Sequence, residues 1–290
     1  MRFHDDPGCY VAHYTQCTTA IDYILASNTL KLGPLSKTND PRETKVWRFA
    51  VGGNSSTHDE NIALSRRNTE FDALLKRGCK VLCVSEDAYD AWKTNTSQRA
   101  YGKPRMWYQY AENHKGVCLI FDKDALNSRI QQQFEQNTVH SGRIEYGNFH
   151  DAAIPGWIQH YEAFQLSADD IAKEGVEAVL KKHGVKYWRE LFFRKNADWQ
   201  DEAEFRWIIF SEDDDPVFVN FETSLRAILL GPDFPPEKMK AVYTYCKSKD
   251  VSLSRIVWIN GMPGVHWLTP DQLTSSDLQT VREQLGLPSG

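Results

Sequence analysis

Four separated polar clusters hold the side chains with which this sequence could do chemistry, and the sharpest is Glu202-Ala203-Glu204-Phe205-Arg206. Written as a strand, Glu202, Glu204, Arg206 and Ile208 share one face, while Phe205, Trp207 and Ile209 form an opposite, core-packed face. Two carboxylates beside a guanidinium on so apolar a strand are costly if buried without partners, which points to a role. The competing reading is a Glu204–Arg206 surface pair on the wet face of an antiparallel sheet, which contributes little.

The other three clusters are weaker singly. His13-Tyr14-Thr15 ends an opening strand, with His13 and Thr15 on one face and Tyr14 on the other. A half-buried strand histidine bonded to a backbone group explains it without a ligand. Ser36 to Glu43 is turn chemistry, because Asn39 and Asp40 favour side-chain bonds to the backbone and Pro41 fixes φ. Polar loops near strand ends also carry binding residues. In Met106 to Gly116, helical spacing puts Met106, Trp107 and Tyr110 on one face, with His114 a turn further on. Such a stripe serves core packing or stacks a flat ring such as nicotinamide or a base, and both readings stay open.

Several chemistries are excluded. There is no Walker loop, GxGxxG, HExxH or GxSxG, and the nine His and six Cys form no close zinc-type spacing. The cysteines form no CxxC pair and are expected as reduced thiols of a cytoplasmic protein. A net charge of −5 gives no electrostatic support for sequence-independent duplex binding, although a local basic cleft is compatible with it. No apolar run of about 18 residues is present, so no membrane span is expected.

The elements that must position these clusters follow from periodicity and turn residues. Strands are expected at 8–14, 30–32, 79–85, 116–121, 143–146, 204–210, 217–221, 227–230 and 256–259. Helices are expected at 20–28, 59–77, 105–113, 124–136, 157–183, 187–194 and 236–249. The irregular alternation predicts an α+β fold of mixed, mainly antiparallel sheets with flanking helices. It reads as one domain over 1–274 with a polar tail at 275–290.

Taken in order, the clusters carry a resemblance. They are His13-Tyr14-Thr15, then Ser36 with Asn39-Asp40-Pro41 and Glu43, then Val81-Leu82-Cys83-Val84-Ser85-Glu86. Met106-Trp107-Tyr108-Gln109-Tyr110 through His114-Lys115-Gly116-Val117-Cys118-Leu119 follows, then Trp199 with Glu202-x-Glu204-x-Arg206, and Ile228-Leu229-Leu230-Gly231. The series resembles a bacterial family known as domain of unknown function 2971, over about residues 10–260. More distantly, the opening His-Tyr-Thr strand, the central aromatic and the late strand Glu are similar to the ADP-ribosyltransferase superfamily. That resemblance implies NAD as the substrate, with His13 on its ribose hydroxyls and Tyr110 on nicotinamide. Glu204, or Glu202, would bond the ribose 2′-hydroxyl and stabilise the oxocarbenium-like ribose as nicotinamide leaves. Tyr14, Thr15, Asn39, Ser85, Trp107 and Arg206 complete the implied binding set, and no metal is implied.

The function so implied is an NAD-dependent ADP-ribosyltransferase-like enzyme, a defence or toxin effector modifying nucleic acid or protein. One alternative is a noncatalytic nucleotide- or partner-binding module, using the aromatic surface and Arg206. The other is a magnesium-dependent nuclease built on Asp40, Glu202 and Glu204.

Overall fold

The computed structural model describes residues 8–88, 96–134, 139–147, 161–211 and 215–268. The expectations for 157–160, for 135–136 at the end of a helix, and for the tail at 275–290 lie outside the described residues. The strands begin with β1 (Tyr10–Thr15), β2 (Thr29–Pro34), β3 (Ala50–Gly52), β4 (Cys79–Glu86), β5 (Val117–Asp122), β6 (Val139–Arg143) and β7 (Glu145–Tyr146). They continue as β8 (Gln165–Ser167), β9 (Arg194–Lys195), β10 (Glu204–Phe210), β11 (Val217–Asn220), β12 (Leu225–Leu230), β13 (Ser252–Ile259) and β14 (Met262–Trp267). The fold is mixed α+β with mainly antiparallel pairing. It divides into two compact units, one of Met1–Leu30, Val84–Gln132 and Val219–Gly290, the other of Lys31–Cys83 and Gln133–Phe218.

In the first unit β1 pairs antiparallel with β5 along its whole length, from Tyr10 opposite Asp122 to Thr15 opposite Val117. β5 continues antiparallel to β12, β12 lies parallel to β13, and β13 turns back onto β14. Val117 to Phe121 is buried throughout, as an unbroken apolar run requires when both faces of a strand are covered. The aromatic stripe belongs to this core. Trp107 is fully buried, meets the Tyr14 ring edge-on at 5.3 Å, and donates Nε1–H to the Tyr101 carbonyl at 2.8 Å. Tyr14 in turn donates its hydroxyl to the Ala100 carbonyl at 2.7 Å, which satisfies its polar end within the core.

The helix carrying that stripe runs Pro104–Tyr110, with proline at its first turn where a missing N–H costs nothing. It stops short of the expected Asn113 because Glu112, Asn113 and His114 all take positive φ, at 52°, 51° and 71°. Their turn brings the His114 carbonyl against Gly231, where a Cβ would lie 1.9 Å from the carbonyl oxygen. Only glycine fits there.

In the second unit β10 pairs with β4 and, antiparallel, with β6, while β2 pairs antiparallel with β4. The core gathers Trp47, Phe71, Leu75, Leu180, Phe192 and Ile208. The helix expected over 59–77 is two helices, His58–Ser65 and Asn68–Arg77. The first is opened by a capping box in which Thr57 and Glu60 satisfy each other's backbone N–H. Asn68 ends it, donating to the Ser65 carbonyl at 2.6 Å and accepting the Phe49 N–H at 2.7 Å. The long helix expected up to 183 is likewise broken. β8 interrupts it, and Gly175, at φ +86°, separates Ala168–Glu174 from Val176–Lys186.

Candidate functional site

Glu204, Arg206, Glu43, Lys195 and Glu202 form one buried ionic array, wholly within the second unit. The five members come from four local devices. Glu204 and Arg206 lie two apart on β10, so strand alternation turns both to one face. Both faces of β10 are buried, which rules out the wet-face surface pair. Glu43 rides on the single helical turn Pro41–Thr44, whose N-cap Asp40 accepts the Arg42 N–H at 2.9 Å. Lys195 is fixed by β9, which pairs parallel with β7 and places Tyr146 opposite Lys195.

Glu202 arrives by another route than expected. It closes the 3₁₀ turn Ala197–Glu202, and Ala203 at φ +41° then turns the chain into β10. The expected strand face is therefore correct for Glu204, Arg206 and Ile208, while Glu202 is brought in by the turn.

The geometry is close throughout. Arg206 donates Nε–H to Glu204 Oε1 at 2.6 Å, and Nη1–H to Glu43 Oε1 at 2.6 Å and the Phe192 carbonyl at 2.7 Å. Lys195 Nζ bridges Glu202 Oε2 at 2.8 Å and Glu204 Oε2 at 2.7 Å, with its charge 5.5 Å from the Trp199 ring centroid. The Cys83 thiol donates a further hydrogen bond to Glu204. The Glu204 N–H donates to the Tyr146 hydroxyl at 2.8 Å, and its carbonyl accepts from Ile144 N at 2.9 Å. Tyr146→Phe strands that N–H and is expected to cost about 1–3 kcal/mol in chemical denaturation.

Burial pushes the Glu204 carboxyl upward, but the Arg206 and Lys195 charges outweigh it, with hydrogen bonds from Arg206 and Cys83, and bring it down to about 2. Glu204 is thus a fixed anion at neutral pH. Burial alone would depress the Lys195 ammonium, yet Glu204, Glu43 and Glu202 raise it well above the ordinary lysine value. Burial also lifts the Cys83 thiol far above its usual range, and the Glu204 charge adds to this.

These shifts give a sign for acid stability. The folded Glu204 value lies below the unfolded 4.5, so its stabilisation is complete above about pH 4.5 and is lost as pH falls towards 2. Asp40 acts in the opposite sense, since burial raises its carboxyl and its contribution is lost as pH rises through that value. Urea stability measured at about pH 5 and about pH 3 should fall in the wild type and fall less in Glu204→Gln.

Of the residues singled out in the sequence, the structure brings together Glu202, Glu204 and Arg206. Asn39 lies in the same unit but is exposed, beside the buried cap Asp40. His13, Tyr14, Thr15, Ser85, Trp107 and Tyr110 belong to the first unit. There His13 and Tyr110 are half-buried, while Tyr14, Thr15, Ser85 and Trp107 are buried. Among the described residues no group of three or more His, Cys, Asp or Glu is arranged to hold a metal ion. Asp40, Glu202 and Glu204 are therefore not gathered as a magnesium site. Also among the described residues, no helix is long and apolar enough to cross a membrane.

Lys195 and Tyr146 were missed as site residues. The available signal was the Arg194-Lys195 pair preceding the acidic run Asp198 to Glu204, a charge complement close in sequence.

A family model described as protein of unknown function (DUF2971) matches residues 106–207. The match covers about a third of the chain, less than the resemblance spanned, and contains Lys195, Glu202, Glu204 and Arg206. Neither the curated proteins nor the solved structures yield a match.

Proposed function

We propose that this chain is an NAD-dependent ADP-ribosyltransferase-like enzyme in which Glu204 is the carboxylate that stabilises the reacting ribose. The observation that supports the reading is the Glu204 side chain held as an anion between Arg206 Nε and Lys195 Nζ. Breaking the bond between ribose C1′ and the nicotinamide nitrogen leaves positive charge on the ribose, and nicotinamide departs with the bonding pair. A nucleophilic oxygen or nitrogen of the acceptor then bonds to C1′ and gives up a proton. A carboxylate helps only if it is ionised and already in place, since reorganisation during the reaction would consume the benefit. Each Glu204 oxygen has two acceptor directions, so the bonds from Arg206, Lys195 and Cys83 leave one for a ribose hydroxyl. The acceptor class is nucleic acid or protein, in keeping with a defence or toxin effector.

The test is incubation with NAD labelled in its adenine portion and a panel of DNA, RNA and protein acceptors, following nicotinamide release and label transfer. Transfer supports the reading. Absence of both products over the whole panel rejects it.

A second reading has its own observation. Arg206 Nη2, Asp40 Oδ2 and Glu43 Oε2 are each buried without a hydrogen-bond partner, polar atoms that ligand hydroxyls or waters would complete. A noncatalytic module would use this set for binding. Calorimetry showing NAD or ADP-ribose bound by a protein that never releases nicotinamide would favour it over the enzyme.

A further inference from the structure

We infer that Lys195 is the positioning residue of this site, holding Glu202 and Glu204 on one ammonium so that the Glu204 carboxylate faces the reacting ribose in one fixed orientation. The assignment rests on the transferase reading.

Three features carry it. Lys195 is the group that joins the two glutamates, at 2.8 and 2.7 Å, whereas Arg206 joins Glu204 to Glu43. Glu204 is consequently clamped at both oxygens by different cations, and Glu202 is held by Lys195 through Oε2. Next, the lysine is delivered by the two-residue strand β9, whose Arg194 carbonyl also accepts Arg42 Nε–H at 2.9 Å. β9 pairs with Glu145 and Tyr146, a bridge extended by Gly147 N–H donating to the Lys195 carbonyl at 3.1 Å. The same bridge sets Tyr146, whose hydroxyl takes the Glu204 N–H, so side chain and backbone of Glu204 are fixed from one short element. Finally, burying two cations among three glutamates is a poor way to gain stability. Well-packed apolar residues often do as well or better, so retention of such an array needs another reason. Preorganising one carboxylate is such a reason, because displacement of a reacting group by about 1 Å costs on the order of 100-fold in rate.

The experiment uses the full chain. Lys195→Met should lower kcat for nicotinamide release by about 100-fold with KM little changed, the pattern of a loss felt only in the transition state. The acid limb of the kcat profile, which reports Glu204, should move to higher pH. Lys195→Arg should recover part of the rate. Should Lys195→Met not fold, Lys195→Met/Glu202→Gln removes one charge of each sign and carries the same expectations.

A natively folded Lys195 variant with wild-type kcat and an unmoved acid limb overturns the assignment and leaves the transferase reading standing. A wild type that releases no nicotinamide removes the transferase reading and the assignment with it.

Discussion

Arg206→Met should cost about 3–5 kcal/mol of stability, the loss typical of removing one partner from a buried ionic array. Arg206 is 0% exposed and donates to Glu204, Glu43 and the Phe192 carbonyl. Methionine replaces the apolar stem but leaves two carboxylates short of their counter-charge and a carbonyl short of a donor. The effect is therefore set by stranded charge more than by lost volume. It follows that Arg206→Met/Glu43→Gln should be less damaged than Arg206→Met, since one of the stranded charges is gone. Urea unfolding followed by tryptophan fluorescence measures both variants. Equal losses, together with no loss in Glu43→Gln alone, would show that Glu43 and Arg206 are not coupled, against the 2.6 Å bond between them.

How far this array could be read from the sequence depends on the range of the interactions involved. β10 was legible to the residue, because Phe205 to Phe210 is a run of β-favouring side chains and its alternation placed Glu204 with Arg206. Glu202 is legible as a neighbour of Glu204 but not its route into the array, since nothing in an alanine announces the left-handed turn at Ala203. Lys195 was hidden by the expectation of a helix over 187–194. That helix ends at Phe192, and a two-residue bridge to Glu145 and Tyr146 has no periodicity to detect. Glu43 stood in a readable turn, with Asp40 as cap and Pro41 at its first position, but its burial against Arg206 is a contact across 163 residues.

In the first unit the stripe of Met106, Trp107 and Tyr110 was found, and its use as core was one of the two readings left open. The hairpin closing that unit was only half seen. Asn260-Gly261, at φ 52° and 81°, is the turn that joins β13 to β14, whereas Pro263 and Gly264 disguise β14 as loop.

The second large effect concerns chemistry. Glu204→Gln keeps the size of the side chain and one carbonyl oxygen while removing the charge that Arg206 and Lys195 hold in place. Removing one preorganised electrostatic group from a transition state costs on the order of 100- to 1,000-fold in kcat. The substitution leaves Lys195 and Arg206 with Glu202 and Glu43 as remaining counter-charges, which favours a folded variant whose defect is in rate. Near-ultraviolet circular dichroism of Glu204→Gln at neutral pH should match the wild type and so separate the two causes.

The most direct test is the rate of nicotinamide release from NAD by wild type and by Glu204→Gln at neutral pH, with the acceptor that takes the label. Release and transfer are expected of the wild type, and a loss of about 100- to 1,000-fold in natively folded Glu204→Gln. Release by Glu204→Gln at the wild-type rate, or no release by the wild type with any DNA, RNA or protein acceptor, would contradict it.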